Sequence, residues 1–112
     1  MPGTVLVAGA SGFIGRRLVQ ALCADGVRVR CLLRREGEVP PGVACVRGDL
    51  LQAETLPAAL EGVDTVYYLV HSMAAGRAGF ERRDRNAAEN FTRAATRCGV
   101  RRVIYLGGLG EA

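Results

Sequence analysis

The sequence predicts an α/β fold in which helices cover both faces of a doubly wound parallel sheet, giving three layers. Apolar, β-branched runs alternate with segments of helical periodicity along the whole chain. A Gly-Val pair follows each predicted helix, at Gly26-Val27, Gly62-Val63 and Gly99-Val100, so the same helix-to-strand step recurs about every 36 residues. Because crossovers between parallel strands are almost always right-handed, we expect the strand order 3-2-1-4-5.

The first half of the chain predicts three strands and one helix. Thr4–Ala8 is a short apolar strand, and Gly12–Ala24 has its apolar residues at helical spacing before the stop at Gly26. Val27–Leu33 follows as a second strand. Proline and glycine in Glu36–Gly42 indicate a loop, after which Val43–Val46 predicts a short third strand.

The second half predicts two helices and two further strands. Leu56–Glu61 suits a short helix, since Pro57 falls in its first turn and Thr55 is placed to cap it. Val63–Val70 is the most apolar of the predicted strands, and apart from Asp64 and Thr65 its apolar residues are continuous rather than alternating, as expected of a strand covered on both faces at the sheet centre.

After Val70, the sequence predicts a loop, a long helix and the last strand. His71–Gly79 consists mainly of small residues and indicates a loop. From Phe80 to Cys98 apolar residues recur at helical spacing, and Arg102–Leu106 is the fifth strand.

Composition sets the limits on function. The 112 residues suit one domain, residues 1–112. The net charge of +4 is the difference between fifteen arginines and eleven acidic residues, and the sequence contains no lysine. The sequence contains neither a secretory leader pattern nor an apolar stretch near the length of a membrane span, so we expect a cytoplasmic protein. The four cysteines, Cys23, Cys31, Cys45 and Cys98, lack metal-site spacing, and we expect them to be small buried hydrophobes rather than metal ligands.

The most informative motif is a glycine at every third position between the first strand and the first helix. Gly9 suits a tight turn, Gly12 allows the backbone to approach a ligand, and Gly15 allows close packing of the helix. Helix N-terminal amides bind phosphate groups, so the motif predicts a seat for the pyrophosphate of a dinucleotide. The alternative is that all three glycines serve packing alone.

Four motifs together carry a resemblance to a known family. They are the spaced Gly9, Gly12 and Gly15; Gly48-Asp49-Leu50; the strand end Tyr67–Ser72; and Asn90 followed by Gly99–Tyr105. The chain resembles the extended and atypical short-chain dehydrogenases/reductases, in particular NmrA-like and sugar-epimerase-like members with a Rossmann fold. The resemblance covers essentially all of the chain, but only the N-terminal, nucleotide-binding part of a usual member.

The resemblance implies a set of cofactor-binding residues. The glycine-rich turn with Ser11 would line the pyrophosphate, with Phe13 and Ile14 donating backbone amides and pinning the first helix. Asp49 and Leu50 would meet the adenine through a carboxylate and a backbone amide, although Asp49 also suits a simple turn cap. The residues expected near the nicotinamide-side ribose are Val70, His71 and Ser72. His71 alone suits hydrogen-bonded scaffolding better than proton transfer.

The end of the second strand bears on cofactor choice. Arg34 and Arg35 stand where an arginine accommodates the 2′-phosphate of NADP, and Arg16 offers a second cation. We therefore expect NADP. The alternative is NAD, with solvated arginines and recognition of the ribose by Glu36.

The catalytic residues of the family are absent from this sequence. Its members carry a hydroxyl residue after the fifth strand, where this chain has Gly107-Gly108, and a Tyr-xxx-Lys pair, which a chain without lysine cannot contain. Asp84 also replaces the usual asparagine of the preceding helix.

Two interpretations follow for the whole protein. The chain is either the first part of a longer reductase or epimerase, with a small-molecule substrate held by later residues, or an NADP(H)-sensing regulatory module. An uncovered fifth strand would favour a homodimer in a stand-alone protein. The arginines of the long helix suit a solvated face better than a nucleic-acid site.

Overall fold

Five parallel strands form a single sheet in the predicted order β3-β2-β1-β4-β5. The computed structural model describes residues 3–10, 12–33, 43–69 and 78–105, and for residues 78–84 the backbone alone. The strands are β1 (Thr4–Ala8), β2 (Val29–Leu33), β3 (Ala44–Arg47), β4 (Val63–Tyr68) and β5 (Arg102–Tyr105). The helices are α1 (Phe13–Ala24), α2 (Leu56–Leu60) and α3 (Ala78–Arg97), and a 3₁₀ turn, Ala53–Thr55, precedes α2.

The two faces of the sheet have separate apolar cores. On one face α1 packs through Val19 against Val7 and Cys31 of the sheet. On the other face α2 and α3 pack against the sheet through residues that include Leu60 and Phe91. This arrangement confirms the three predicted layers, with the carboxyl ends of all five strands at one edge.

Strand β4 lies inside the sheet between β1 and β5 and contributes to the cores on both faces, as the apolar run at Val63–Val70 predicts, but β1 is more deeply buried. Leu6, Val7 and Ala8 of β1 are completely buried, whereas Thr65 and Tyr67 of β4 are partly exposed. The reason is that β1 is the middle strand of five. On the face of the sheet where Tyr67 lies, α1 packs mainly against β1 and β2.

All three helix-ending glycines adopt the left-handed conformation that the repeated Gly-Val step predicts. Their φ angles are +79° at Gly26, +76° at Gly62 and +80° at Gly99. An L-residue with a side chain is strained in this region, so glycine allows each helix to end and the chain to enter the next strand.

A guanidinium on β2 fixes the end of α2. Arg30 Nη1 donates to the carbonyl oxygens of Ala59, at 2.7 Å, and Glu61, at 2.8 Å. These carbonyls lie at the helix C-terminus, where intrahelical donors are lacking. Arg30 therefore ties the connection between the 3₁₀ turn and β4 to the sheet.

The cysteines are less uniform than the sequence predicts. Cys31 is buried, but Cys23 and Cys45 are exposed and Cys98 is half-buried, so the expectation of four buried residues was wrong for two of them. Cys23 lies in the last turn of α1 and Cys45 on the edge strand β3, where neighbouring chain covers only one side. Burial, reinforced by Cys45 and Cys23, raises the pKa of the Cys31 thiol to about 11.

Candidate functional site

The turn between β1 and α1 begins with a glycine that its backbone requires. Gly9 has a φ of +96°, and a Cβ on it would lie 3.1 Å from the carbonyl carbon of Leu69. The amide of Gly12 donates to the Gly9 carbonyl at 3.2 Å, which closes the turn. Conformation and the close approach of Leu69 therefore both explain glycine at position 9.

The third glycine of the motif is required by packing. A Cβ on Gly15 would overlap the carbonyl oxygen of Gly9 and would lie 2.8 Å from the Cα of Ala10. Both atoms belong to the backbone of the turn and have no side-chain freedom with which to move away. Glycine at position 15 therefore lets the first turn of α1 lie directly against the end of β1.

The second glycine has no such explanation within the described chain. A Cβ on Gly12 would meet only the Gly9 carbonyl oxygen, at an ordinary contact distance of 3.6 Å, and its φ of −76° suits any residue. Gly12 is exposed and forms the N-cap of α1. Packing accounts for Gly9 and Gly15, but at Gly12 the position of the missing side chain is contacted by no described residue other than Gly9.

The first turn of α1 presents unpaired backbone donors beside Gly12. The first helical bond runs from Arg16 N–H to the Gly12 carbonyl at 3.0 Å, and the N-cap provides no side-chain bond. Among the residues that the structure describes, none accepts a hydrogen bond from the amides of Phe13, Ile14 or Gly15. The first turn also contains no acidic side chain, so nothing in that turn opposes the positive end of the helix dipole.

The side chains of Phe13 and Ile14 do not pin the helix as expected. They are 73% and 47% exposed, respectively. The Phe13 ring instead lies under the Arg17 guanidinium, whose central carbon is 4.6 Å from the ring centroid. Gly15, rather than these two side chains, sets the distance between α1 and the sheet.

A second turn lies at the same edge of the sheet, after β3, and contains Asp49. Asp49 Oδ1 accepts from the Leu51 amide at 2.9 Å, and the Asp49 amide donates to Thr55 Oγ1, also at 2.9 Å. Thr55 is the N-cap residue of α2, as predicted, but its side chain makes no capping bond to the helix. Its hydroxyl instead closes the Asp49 turn, since its single proton lies within reach of two carbonyl oxygens, that of Gln52 at 2.8 Å and that of Asp49 at 3.1 Å.

Leu50 leaves a free donor next to that carboxylate. Its carbonyl accepts from Asn90 Nδ2 of α3 at 2.7 Å, whereas no described residue accepts from its amide. Asp49 Oδ1 caps the turn, as the simpler interpretation expected, and Oδ2 has no hydrogen-bond partner among the residues in the described ranges. The turn therefore presents one carboxylate oxygen and one amide side by side in sequence.

Several predicted site residues lie outside the described residues. They are Ser11, Arg34, Arg35, Val70, His71 and Ser72. Arg16 is described and is exposed in the first turn of α1. Gly79, predicted to be in a loop, lies in α3, which begins at Ala78.

Sequence reasoning missed the roles of Asn90 and Thr55 in this site. The sequence indicates Asn90 only as part of a motif and Thr55 only as a helix cap. The available signal is that Asn90 is a polar residue next to Phe91, a core residue of the same helix, and a partly buried polar side chain needs a hydrogen-bond partner.

Other kinds of site find no support in the described part of the chain. Its His, Cys, Asp and Glu side chains do not gather in threes in a way that could hold a metal ion. No helix within those residues is long and apolar enough to cross a membrane. On the exposed face of α3, Arg85 and Arg93 flank Glu89 along a shallow depression, so this face carries mixed charge.

Comparison with known proteins agrees with the turn geometry. Residues 9–111 match a protein family described as NAD(P)H-binding. A 3 beta-hydroxysteroid dehydrogenase/Delta 5-->4-isomerase of Mycobacterium tuberculosis is 33% identical over 92% of this chain and 31% of that protein. The chain thus spans about a third of this relative's length.

Solved structures share the fold. A UDP-N-acetylglucosamine 4-epimerase from Bacillus cereus superposes with a TM-score of 0.81 at 22% identity, over 92% of this chain and 34% of the epimerase. A short-chain dehydrogenase/reductase superfamily protein from Agrobacterium tumefaciens with bound NAD gives a TM-score of 0.75 at 29% identity, over 91% of this chain and 31% of that protein. This chain therefore belongs to the NAD(P)H-binding family, as a Rossmann-fold domain of the atypical short-chain dehydrogenase/reductase and NAD-dependent epimerase-like type.

Proposed function

We propose that the chain binds the pyrophosphate of a nicotinamide dinucleotide at the turn between β1 and α1. The observation that carries the proposal is Gly12, whose missing side chain has no explanation in the packing of the described residues. The amides of Phe13, Ile14 and Gly15, which have no acceptor among the described residues, follow that position at the positive end of α1. Two negatively charged phosphate groups suit such a set of donors.

The Asp49 turn is proposed to hold the adenine. Adenine presents an amino group that donates and a ring nitrogen that accepts, and the turn offers the complementary pair in Asp49 Oδ2 and the Leu50 amide. Asp49 is half-buried, which strengthens a hydrogen bond to its carboxylate relative to one in bulk water. Both turns follow strands whose carboxyl ends meet at the same sheet edge, where nucleotides bind in folds of this kind.

Cofactor choice is proposed to favour NADP. Arg34 and Arg35 directly follow β2, and their permanently charged guanidinium groups suit the 2′-phosphate. NADPH should therefore bind more tightly than NADH, and Arg34→Ala should reduce that preference. Equal affinities, or a preference unchanged in the variant, would instead favour NAD.

The whole protein is proposed to be an oxidoreductase or epimerase acting on a small molecule. A bound nicotinamide dinucleotide donates or accepts hydride, and this chain's own residues bind and orient it. Curated relatives about three times as long, including the mycobacterial steroid dehydrogenase, support placing the substrate-binding and proton-transferring residues in a further part of the protein. The second candidate is a nucleotide-sensing regulatory module that binds the dinucleotide without hydride transfer. Turnover by the full-length protein would exclude that candidate.

Titration calorimetry of the chain with NADPH and NADH tests the binding site. We expect Gly12→Ala to weaken binding at least about tenfold, because a Cβ would displace the phosphate from the amides. The urea midpoint should change little, since the protein itself has room for that Cβ. The control is Gly26→Ala at the far end of α1, which should leave the affinity unchanged. Unaltered binding in Gly12→Ala, or no heat with either dinucleotide in the wild-type chain, would refute the proposal.

A further inference from the structure

The peptide group between Leu50 and Leu51 is hydrogen-bonded at both ends. Its carbonyl oxygen accepts from Asn90 Nδ2 at 2.7 Å, and its N–H donates to Asp49 Oδ1 at 2.9 Å. Both distances are typical of well-formed hydrogen bonds. A continuous path thus runs from the side chain of Asn90 through one peptide group to the carboxylate of Asp49.

This path couples the two side chains geometrically. In a planar trans peptide the C=O and N–H point in opposite directions, so fixing one fixes the other. When Asn90 holds the carbonyl toward α3, the N–H must point away from α3, where Asp49 Oδ1 accepts it. The two hydrogen bonds also polarise one another, because the peptide group accepts the first through its C=O and donates the second through its N–H.

Asn90 is a firm anchor because its neighbours are fixed. Phe91, the next residue of α3, is completely buried and its ring packs against that of Tyr68 in β4 at a centroid distance of 5.1 Å and an interplanar angle of 59°. Leu50 itself packs against the same core. The position of the amide group is therefore set by the sheet rather than by the turn that it holds.

We propose that Asn90 is a positioning residue for adenine recognition, acting through the Leu50–Leu51 peptide to orient the Asp49 carboxylate. The inference rests on the proposed binding of a dinucleotide with its adenine at Asp49. It identifies what sets the direction of Oδ2, the oxygen available to the adenine amino group. Without Asn90 the peptide is free to rotate, and Oδ1 loses its fixed donor.

The ratio of affinities for two dinucleotides provides the test. Nicotinamide hypoxanthine dinucleotide carries a carbonyl oxygen where the adenine has its amino group, so a correctly placed carboxylate repels it. We expect the wild-type chain to bind NADH about tenfold more tightly than the reduced hypoxanthine form, corresponding to one hydrogen bond to a charged group. In Asn90→Leu, of similar size but without a donor, the ratio should fall to about twofold or less.

Two further variants make the test specific. Asn90→Asp keeps the shape and replaces the donor with an acceptor, and it should lose the preference as Asn90→Leu does. Asn86→Asp introduces the same charge one turn earlier on α3 at an exposed position, and it should keep the tenfold preference. A purely structural role of Asn90 would weaken both dinucleotides equally and leave the ratio unchanged.

Each outcome separates the inference from the proposed function. A wild-type chain that binds neither dinucleotide would overturn the proposed function and the inference with it. Binding with no preference in the wild-type chain would overturn the contact between Asp49 and adenine. Binding with a preference that survives in both Asn90 variants would overturn the role of Asn90 alone and leave the dinucleotide site in place.

Discussion

The two turns at the carboxyl edge of the sheet achieve their shapes in opposite ways. The turn after β1 depends on side chains that are missing, since a Cβ at Gly9 or Gly15 would contact the backbone of Leu69 or overlap that of the turn itself. The turn after β3 depends on side chains that are present, because Asp49, Thr55 and Asn90 bond its backbone groups.

This difference predicts how each turn responds to substitution. In the first turn, an added side-chain atom at Gly9 or Gly15 should lower stability, whereas no hydrogen bond from a distant side chain is involved. In the second turn, a change of side-chain shape should have little effect, but the loss of a donor or acceptor should lower stability, because a half-buried backbone group would then lack a partner. The following substitutions separate size, hydrogen bonding, conformation and charge as causes.

The largest effect is expected for Gly15→Ala. The added methyl overlaps backbone atoms of Gly9 and Ala10, so α1 must move away from β1. We expect the free energy of unfolding to fall by about 3 kcal/mol, at the upper end for an overpacked site. Urea denaturation measures this loss. Gly12→Ala is the matched control and should cost less than about 1 kcal/mol. Equal losses in the two variants would show that the glycines are not distinguished by packing.

Thr55→Val should have an intermediate effect. The substitution keeps the branched shape but leaves the Asp49 amide without its acceptor, and we expect a loss of about 1–2 kcal/mol. The control is Thr96→Val on α3, an exposed threonine whose hydroxyl bonds only to its own helix at the Thr92 carbonyl. That variant should change stability by less than about 0.5 kcal/mol. If both substitutions cost the same in urea denaturation, the hydroxyl does not hold the turn.

Replacing a glycine that is needed only for its backbone conformation should lower the free energy of unfolding by a smaller amount. Gly26 has a φ of +79°, and a Cβ on it would meet nothing within 4 Å. Strain without overlap predicts a loss of about 1 kcal/mol for Gly26→Ala. Gly62→Ala and Gly99→Ala, with φ angles of +76° and +80° and the same open surroundings, should behave alike. A loss as large as that of Gly15→Ala would contradict the distinction between strain and overlap.

The smallest effect on stability at neutral pH is expected from the titration of Cys31. This residue lies on β2, between β1 and β3, the two strands that the turns follow. Burial and the neighbouring Cys45 and Cys23 raise the pKa of its thiol from 9.0 to about 11. Between these values the unfolded chain loses a proton that the folded chain keeps. The free energy of unfolding should therefore decrease as the pH rises from 9.0 to about 11.

Urea denaturation across this pH range tests the titration of Cys31. Cys31→Ala should remove this part of the decrease, whereas Cys98→Ala should retain it. A decrease of the same size in Cys31→Ala would show that another group titrates.

The sequence predicted features that depend on nearby residues better than features that depend on packing between distant elements. The helix-ending glycines were predicted correctly because a left-handed turn depends on neighbours along the chain, and the strand order because crossovers between parallel strands are almost always right-handed. The partial exposure of Thr65 and Tyr67 in β4 was not predicted, because the apolar content of Val63–Val70 gives no information on which element covers each side chain. The exposure of Cys23 and Cys45 has the same cause, since coverage depends on which element lies opposite.

By itself, the sequence determined the three-layer fold and the glycine-rich turn, because a glycine's freedom and the space it leaves depend on a few adjacent residues. Only the tertiary structure decided that Gly12, of the three glycines, has no close packing contact among the described residues, and that Thr55 closes the Asp49 turn. It also brought Asn90 to the carbonyl of Leu50, forty positions earlier in the chain. The physical reason is that a hydrogen bond between distant residues forms only where packing of the helices on the sheet brings donor and acceptor together, and no local pattern records that distance.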